Sequence, residues 1–296
     1  MKSGPMFSLE KMNDQAQGLR LLAGRKAARV LPILGNTGDP EQAPILAHLA
    51  MSLTRQGQRV LIVDAGRVLL GSWFGIHLRY GLNHWLNGEC EFAQILKLSN
   101  DGIGVMSAAT GLERIHDSPS LRQRLTQALS QGPRFDLCLA VGPHETLQQM
   151  LGEELGDMWM VSGTQAMALS ATFSRIKGVK MPASNRKLHM IYGGVYDPNQ
   201  CEKSHRSLAH SLEKSGGLKL AFWAGIAKDK LMQQAILERR TLFSDAPNSA
   251  LATTFDQIAS AILERPLAPW PWPEILPSRG SETARLNLAC AALGGH

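Results

Sequence analysis

Residues 30–50 read VLPILGNTGDPEQAPILAHLA, and their order is that of a phosphate-handling turn. An apolar run, Val30 to Leu34, enters a glycine-bearing loop, and a helix-period stretch leaves it at Ile45, Leu46, Leu49, Ala50 and Leu53. In such a turn consecutive backbone N–H groups and a helix N-terminus converge on oxyanions. A lysine neutralises them, and a hydroxyl with an aspartate holds magnesium. The loop here, with Gly35, Thr37, Gly38, Asp39, Glu41, Gln42 and Ala43, contains no lysine. Asp39 and Glu41 bring negative charge to where phosphates would lie, and Pro40 removes an N–H. A like-charge pair about 5 Å apart costs roughly 3 kcal/mol at an effective dielectric near 20. The residues therefore predict a turn without catalysis: no catalytic residue, no bound cofactor and no metal are expected.

Two other groups carry chemical potential. Cys201, His205 and His210 fall within one helix pattern, but His210 points away from the face the other two share, so they make no ligand set. NDQAQGLRLLAGR (13–25) reads as a short amphipathic helix capped by Asn13 or Asp14. Ala16, Leu19, Leu22 and Ala23 form its stripe, with Gln15 and Arg20 off it. A helix that short is marginal in water and is ordered by docking, on a partner or on its own domain.

Repeated apolar runs position these residues: RVLPIL (29–34), RVLIVD (59–64), IGVMSA (103–108), FDLCLAV (135–141), DMWMVS (157–162), KLHMIYGGV (187–195) and LKLAFWAGI (218–226). They are continuous rather than alternating, as in parallel strands buried on both faces. Helix patterns lie between them, such as APILAHLAMSLTRQG, stopped at Gly57, and SLRQRLTQALSQG, capped by Ser118 or Ser120 and stopped at Gly132. The alternation predicts an α/β fold with a doubly wound, mostly parallel sheet. One domain is expected over 27–265. It is preceded by a leader (1–26) and followed by a tail (266–296) whose opening PLAPWPWPEILPSRG excludes a regular helix or central strand.

The 296 residues, 44% apolar and 19% charged, suit a globular protein with a sizeable core. No apolar run approaches the ~20 residues of a membrane span. The N-terminus lacks a signal-peptide core, and Cys90, Cys138, Cys201 and Cys290 are too scattered for a disulfide framework, so a cytoplasmic protein is expected. The net charge of +6 is dispersed, and no nucleic-acid partner is expected.

The element order, with GQRVLIVDA (57–65) and LMQQAILERRTLFSDAPNSA (231–250), resembles the MinD/ParA group of deviant-Walker P-loop ATPases. The typical loop of that group is GGKGGVGKT. By this resemblance Thr37 stands at its signature lysine, Gln42 at its P-loop lysine and Ala43 at its magnesium-binding hydroxyl. The acidic positions are lost at Gly66, within Asp64-Ala65-Gly66, and at Val141, while Gly193 and Gly194 replace the asparagine that meets adenine. The resemblance implies a pseudo-ATPase.

The leader's D-Q-A-x-x-L-R pattern ahead of such a domain is similar to that of the FlhG (FleN) flagellar-number regulators. It implies partner-binding residues Asp14, Gln15, Ala16, Leu19 and Arg20, which engage an FlhF-type signal-recognition GTPase and stimulate its hydrolysis. Gln15 would help order the catalytic water while Ala16 and Leu19 pack in a groove. Other flagellar assembly or regulatory proteins are further implied partners, and recruitment to the pole or inner membrane would run through a partner. A weak MinD/ParA-type ATPase and a non-activating structural adaptor at the cell pole or a secretion complex stay open as alternatives, as does contact of the tail with a membrane.

Overall fold

The computed structural model describes residues 28–35, 38–152, 155–179, 187–214 and 219–270. Strand β1 (Arg29–Leu34) leads through the glycine-bearing loop into α1 (Gln42–Arg55), and β2 (Val60–Asp64) follows. A 3-10 turn (Leu70–Phe74), the short helices α2 (Leu82–Leu86) and α3 (Phe92–Ile95), and strands β3 (Leu96–Leu98) and β4 (Gly104–Ser107) come next. Helices α4 (Leu112–Asp117) and α5 (Pro119–Gln131) precede β5 (Leu137–Gly142), α6 (His144–Leu151), β6 (Met158–Gly163) and α7 (Ala166–Lys177). The described chain closes with β7 (Lys187–Val195), α8 (Pro198–Lys214), β8 (Lys219–Ala227), α9 (Lys230–Glu238), α10 (Ala250–Leu263) and β9 (Ala268–Pro269).

The sheet runs β3-β4-β2-β5-β1-β6-β7-β8. Every neighbouring pair is parallel except β3 with β4. Continuous apolar strands are the reason for the layering. In β5, Leu137, Leu139 and Val141 enter the core beneath α1, α9 and α10, while Cys138 and Ala140 enter the core beneath α2 to α8. Burying each large aliphatic side chain contributes roughly 1.5–3 kcal/mol, so neither face tolerates charge. Helix α1 is buried almost all round, between the sheet and α10, and Gly57 at φ 80 turns the chain out of it. Pro44 lies in its first turn, where a missing N–H is harmless. Ser118 caps α5 by accepting from the N–H of Leu121, with Pro119 first in the helix.

The seven strands read from the sequence are all present. The sheet has two more. Leu96–Leu98 is a three-residue antiparallel edge, too short to stand out as an apolar run. The proline-rich stretch, read above as neither a regular helix nor a central strand, adds a two-residue ladder to the sheet. Strand β1 pairs with β6 only at Ile33 and Leu34, and where β6 diverges, Ala268 and Pro269 pair antiparallel with Val30 and Arg29. Proline is compatible with so short a ladder because its ring faces no required donor position. Among the described residues, no helix is long and apolar enough to cross a membrane.

Candidate functional site

The ends of β1, β2 and β5 converge on bare backbone. The N–H of Gly35 donates to the carbonyl of Gly142 at 2.7 Å, and a Cβ on Gly35 or Gly66 would lie 3.2 or 3.3 Å from Gly142. Val141 is directed into the core, and Ala65 donates to its carbonyl, so this strand end presents no side-chain ligand.

Beyond Gly38 (φ 95) the loop folds onto the sheet through its carboxylates. Asp39 accepts from the N–H of Glu41 at 3.0 Å and, across the sheet, from the N–H of Gly163 at 2.9 Å. Glu41 lies on Gly193 and Gly194 at the end of β7. A Cβ at Gly193 would fall 2.6 Å from the Glu41 Cβ, and one at Gly194 would fall 2.7 Å from its Oε1. The two glycines thus make the room that Glu41 fills. Burial and then the nearby Asp39 carboxylate push the Glu41 carboxyl above its ordinary value, against the pull of Lys228. Lys228 itself reaches over the Tyr196 ring. Gln42 is buried and donates to the Leu34 carbonyl at 3.3 Å, Ala43 packs against the core, and Thr37 lies outside the described residues.

Asp64, at the end of β2, organises the next turn. Its carboxylate accepts from the N–H groups of Gly66, Val68 and Leu69 at 3.1, 3.0 and 2.7 Å. These bonds hold Arg67 and Leu69 at φ 56 and 60, the left-handed region that L residues avoid.

The structure brings Asp39, Glu41, Gln42 and Gly193–Gly194 together, and leaves Gly66 and Val141 as backbone and core. Sequence reading flagged the two glycines as a lost asparagine but gave no sign that Glu41 rests on them, because the pairing joins distant elements. Thr164, whose hydroxyl donates to the Gly194 carbonyl at 3.4 Å, and Lys228 were missed for the same reason. On α8, Cys201 and His205 are buried while His210 is exposed, as helical spacing requires, and His205 Nδ1 lies 3.1 Å from the Tyr192 hydroxyl. Among the described residues, no group of three or more His, Cys, Asp or Glu side chains is arranged to hold a metal ion. In the distal turn Ser249 caps α10 through the N–H of Ala252. Asp14, Gln15, Ala16, Leu19 and Arg20 lie outside the described residues.

No family model matches the chain. Over 256 residues it is 19% identical to the antiactivator FleN of Pseudomonas aeruginosa, spanning 84% of this chain and 91% of FleN. Over 273 residues it is 23% identical to the flagellum site-determining protein YlxH of Helicobacter pylori, spanning 86% of this chain and 92% of YlxH. Among solved structures, the MinD cell division protein of Aquifex aeolicus matches with a TM-score of 0.57 at 14% identity, covering 82% of this chain and 100% of that one. The chain is accordingly a protein of MinD/ParA-type fold and a distant relative of FleN and YlxH along most of its length.

Proposed function

We propose that this chain regulates flagellar number or placement without turning over nucleotide, and that it acts on an FlhF-type GTPase through its leader. A relative named as a flagellum site-determining protein and another named as an antiactivator, each matched over more than four-fifths of the chain, support the process. The absence of turnover rests on one observation: Asp39 occupies the N–H groups of Glu41 and Gly163, and Glu41 fills the space at the end of β7. A magnesium nucleotide does not fit these residues. The Gly163 N–H already serves a carboxylate, no residue from Gly38 to Ala43 is cationic, and two acidic side chains would face the phosphates. Residues 27–265 then serve as the body that presents the leader, with Asp14, Gln15, Ala16, Leu19 and Arg20 as the contact set. Activation in trans requires a polar group to order the partner's attacking water, and Gln15 supplies it.

The test is GTP hydrolysis by the FlhF-type GTPase of the same organism, alone, with this protein, and with the Gln15→Ala variant. Stimulation by the intact chain that the substitution abolishes is expected. A rate unchanged by the intact chain overturns the leader's role.

A further inference from the structure

A concavity of about 390 Å³ lies on the face of the sheet opposite α1. Leu34 at the end of β1, the first turn of α6 (Pro143, His144, Glu145) and Ser174, Arg175 and Val179 at and just beyond the C-terminal half of α7 wall it. Its donors have no protein acceptor among the described residues. The Arg175 guanidinium makes no ion pair or hydrogen bond among the described residues, and its Nε is sealed from solvent. The His144 side chain is only 5% exposed and has no hydrogen-bond partner among the described residues. Pro143 precedes α6 and offers no side-chain cap, so the N–H groups of the helix's first turn have no acceptor within the helix.

Buried donors are satisfied in roughly nine cases in ten or more, and an arginine, an imidazole and a helix N-terminus left open on one cavity point to one kind of occupant. An oxyanion accepts from the guanidinium fork, from first-turn N–H groups and from an imidazole N–H at once. Leu34, Pro143 and Val179 leave the remaining wall apolar, which suits a ligand with a short hydrocarbon body. Glu145 is the acidic side chain on this wall; it is exposed, where water screens its charge. Burial holds the His144 imidazole below its ordinary value, and a bound anion reverses that direction.

We propose that this cavity binds a small oxyanion, a phosphate or carboxylate group either free or on a short apolar body, held by Arg175 and His144. It is separate from the loop of Asp39 and Glu41, and neither the relatives nor the proposed function requires it.

The full chain is titrated with inorganic phosphate, phenyl phosphate and isovalerate. Thermal shift and the ring NMR signals of His144 follow binding. Saturable stabilisation by at least one probe is expected, with the His144 ring titrating at higher pH in its presence. Affinity should be at least about tenfold weaker in Arg175→Gln and partly restored in Arg175→Lys, since losing a bidentate charged contact removes at least that factor. Saturation by inorganic phosphate assigns the site to a free phosphate. Saturation only by the organic probes makes the apolar body part of recognition. Failure of all three probes to saturate, or an affinity unchanged in Arg175→Gln, overturns the proposal. Should Arg175→Gln not fold, the unmodified chain decides: His144 signals that stay fixed with every probe overturn it.

Discussion

His48 is a single side chain on which two elements close. Its Nδ1 lies 2.6 Å from the Pro44 carbonyl, and its Nε2 accepts from the N–H of Leu242 at 3.0 Å. Donation at one nitrogen and acceptance at the other fix a neutral tautomer. The ring is stacked on Phe255 at 5.0 Å, and burial pushes its pKa from 6.5 down to about 4. The folded state therefore binds fewer protons than the unfolded state between those values. The stability this group contributes is complete above pH 6.5 and is lost as pH falls towards 4, by about 3 kcal/mol in total. Urea unfolding at pH 7 and pH 4.5 should show that loss, and His48→Leu, though less stable at pH 7, should show a shallower decline. His144, His189 and His205 are also held below the ordinary value, so the variant is what isolates His48. In the sequence His48 lies off the apolar stripe of Ile45, Leu46, Leu49, Ala50 and Leu53, and nothing there gives it a role. Its acceptor role depends on a residue 194 positions away, which periodicity cannot reach.

At the level of elements, Asp64 stands where family resemblance places the first of two carboxylates, yet its bonds make it the clamp of its own turn. Three N–H groups converge on it while Arg67 and Leu69 hold left-handed geometry. Asp64→Ala removes both acceptor oxygens of these three bonds and should cost about 2–4 kcal/mol. Hydrogen exchange should quicken from Gly66 to Phe74 before it does elsewhere; an unchanged exchange pattern there would refute the clamp. The same scale shows where sequence reading works. Long buried strands announce themselves by unbroken apolar runs, and Ser118, Gly57 and Gly132 mark helix ends by their local chemistry. Leu96–Leu98 and Ala268–Pro269 do not, because they are recruited by neighbours: β4 offers an edge to one, and the divergence of β6 from β1 offers a gap to the other. The candidate site divides in the same way. The missing lysines and hydroxyl were visible as residue types, whereas the seating of Glu41 on Gly193 and Gly194 needed the folded sheet.

For the molecule as a whole, the proposed division of labour predicts that the nucleotide fold acts as a body and not as a motor. Calorimetry with magnesium-ATP should show no micromolar binding by the intact chain. Gln42→Lys with Ala43→Thr should not restore it, because Gln42 is buried against the Leu34 carbonyl and both carboxylates stay in place. Micromolar binding by either protein would overturn the reading. The small β9 ladder has a consequence for how that body meets others. The N–H of Trp270 donates to the Ala28 carbonyl at 2.6 Å, so residues 28 and 270, from which the two flanking segments continue, lie side by side. Anything that grips both meets the second as a tethered neighbour, at an effective concentration of order millimolar. Two individually weak contacts then combine as avidity, and cutting the chain on either side would release a partner far more sharply than the lost contact alone implies.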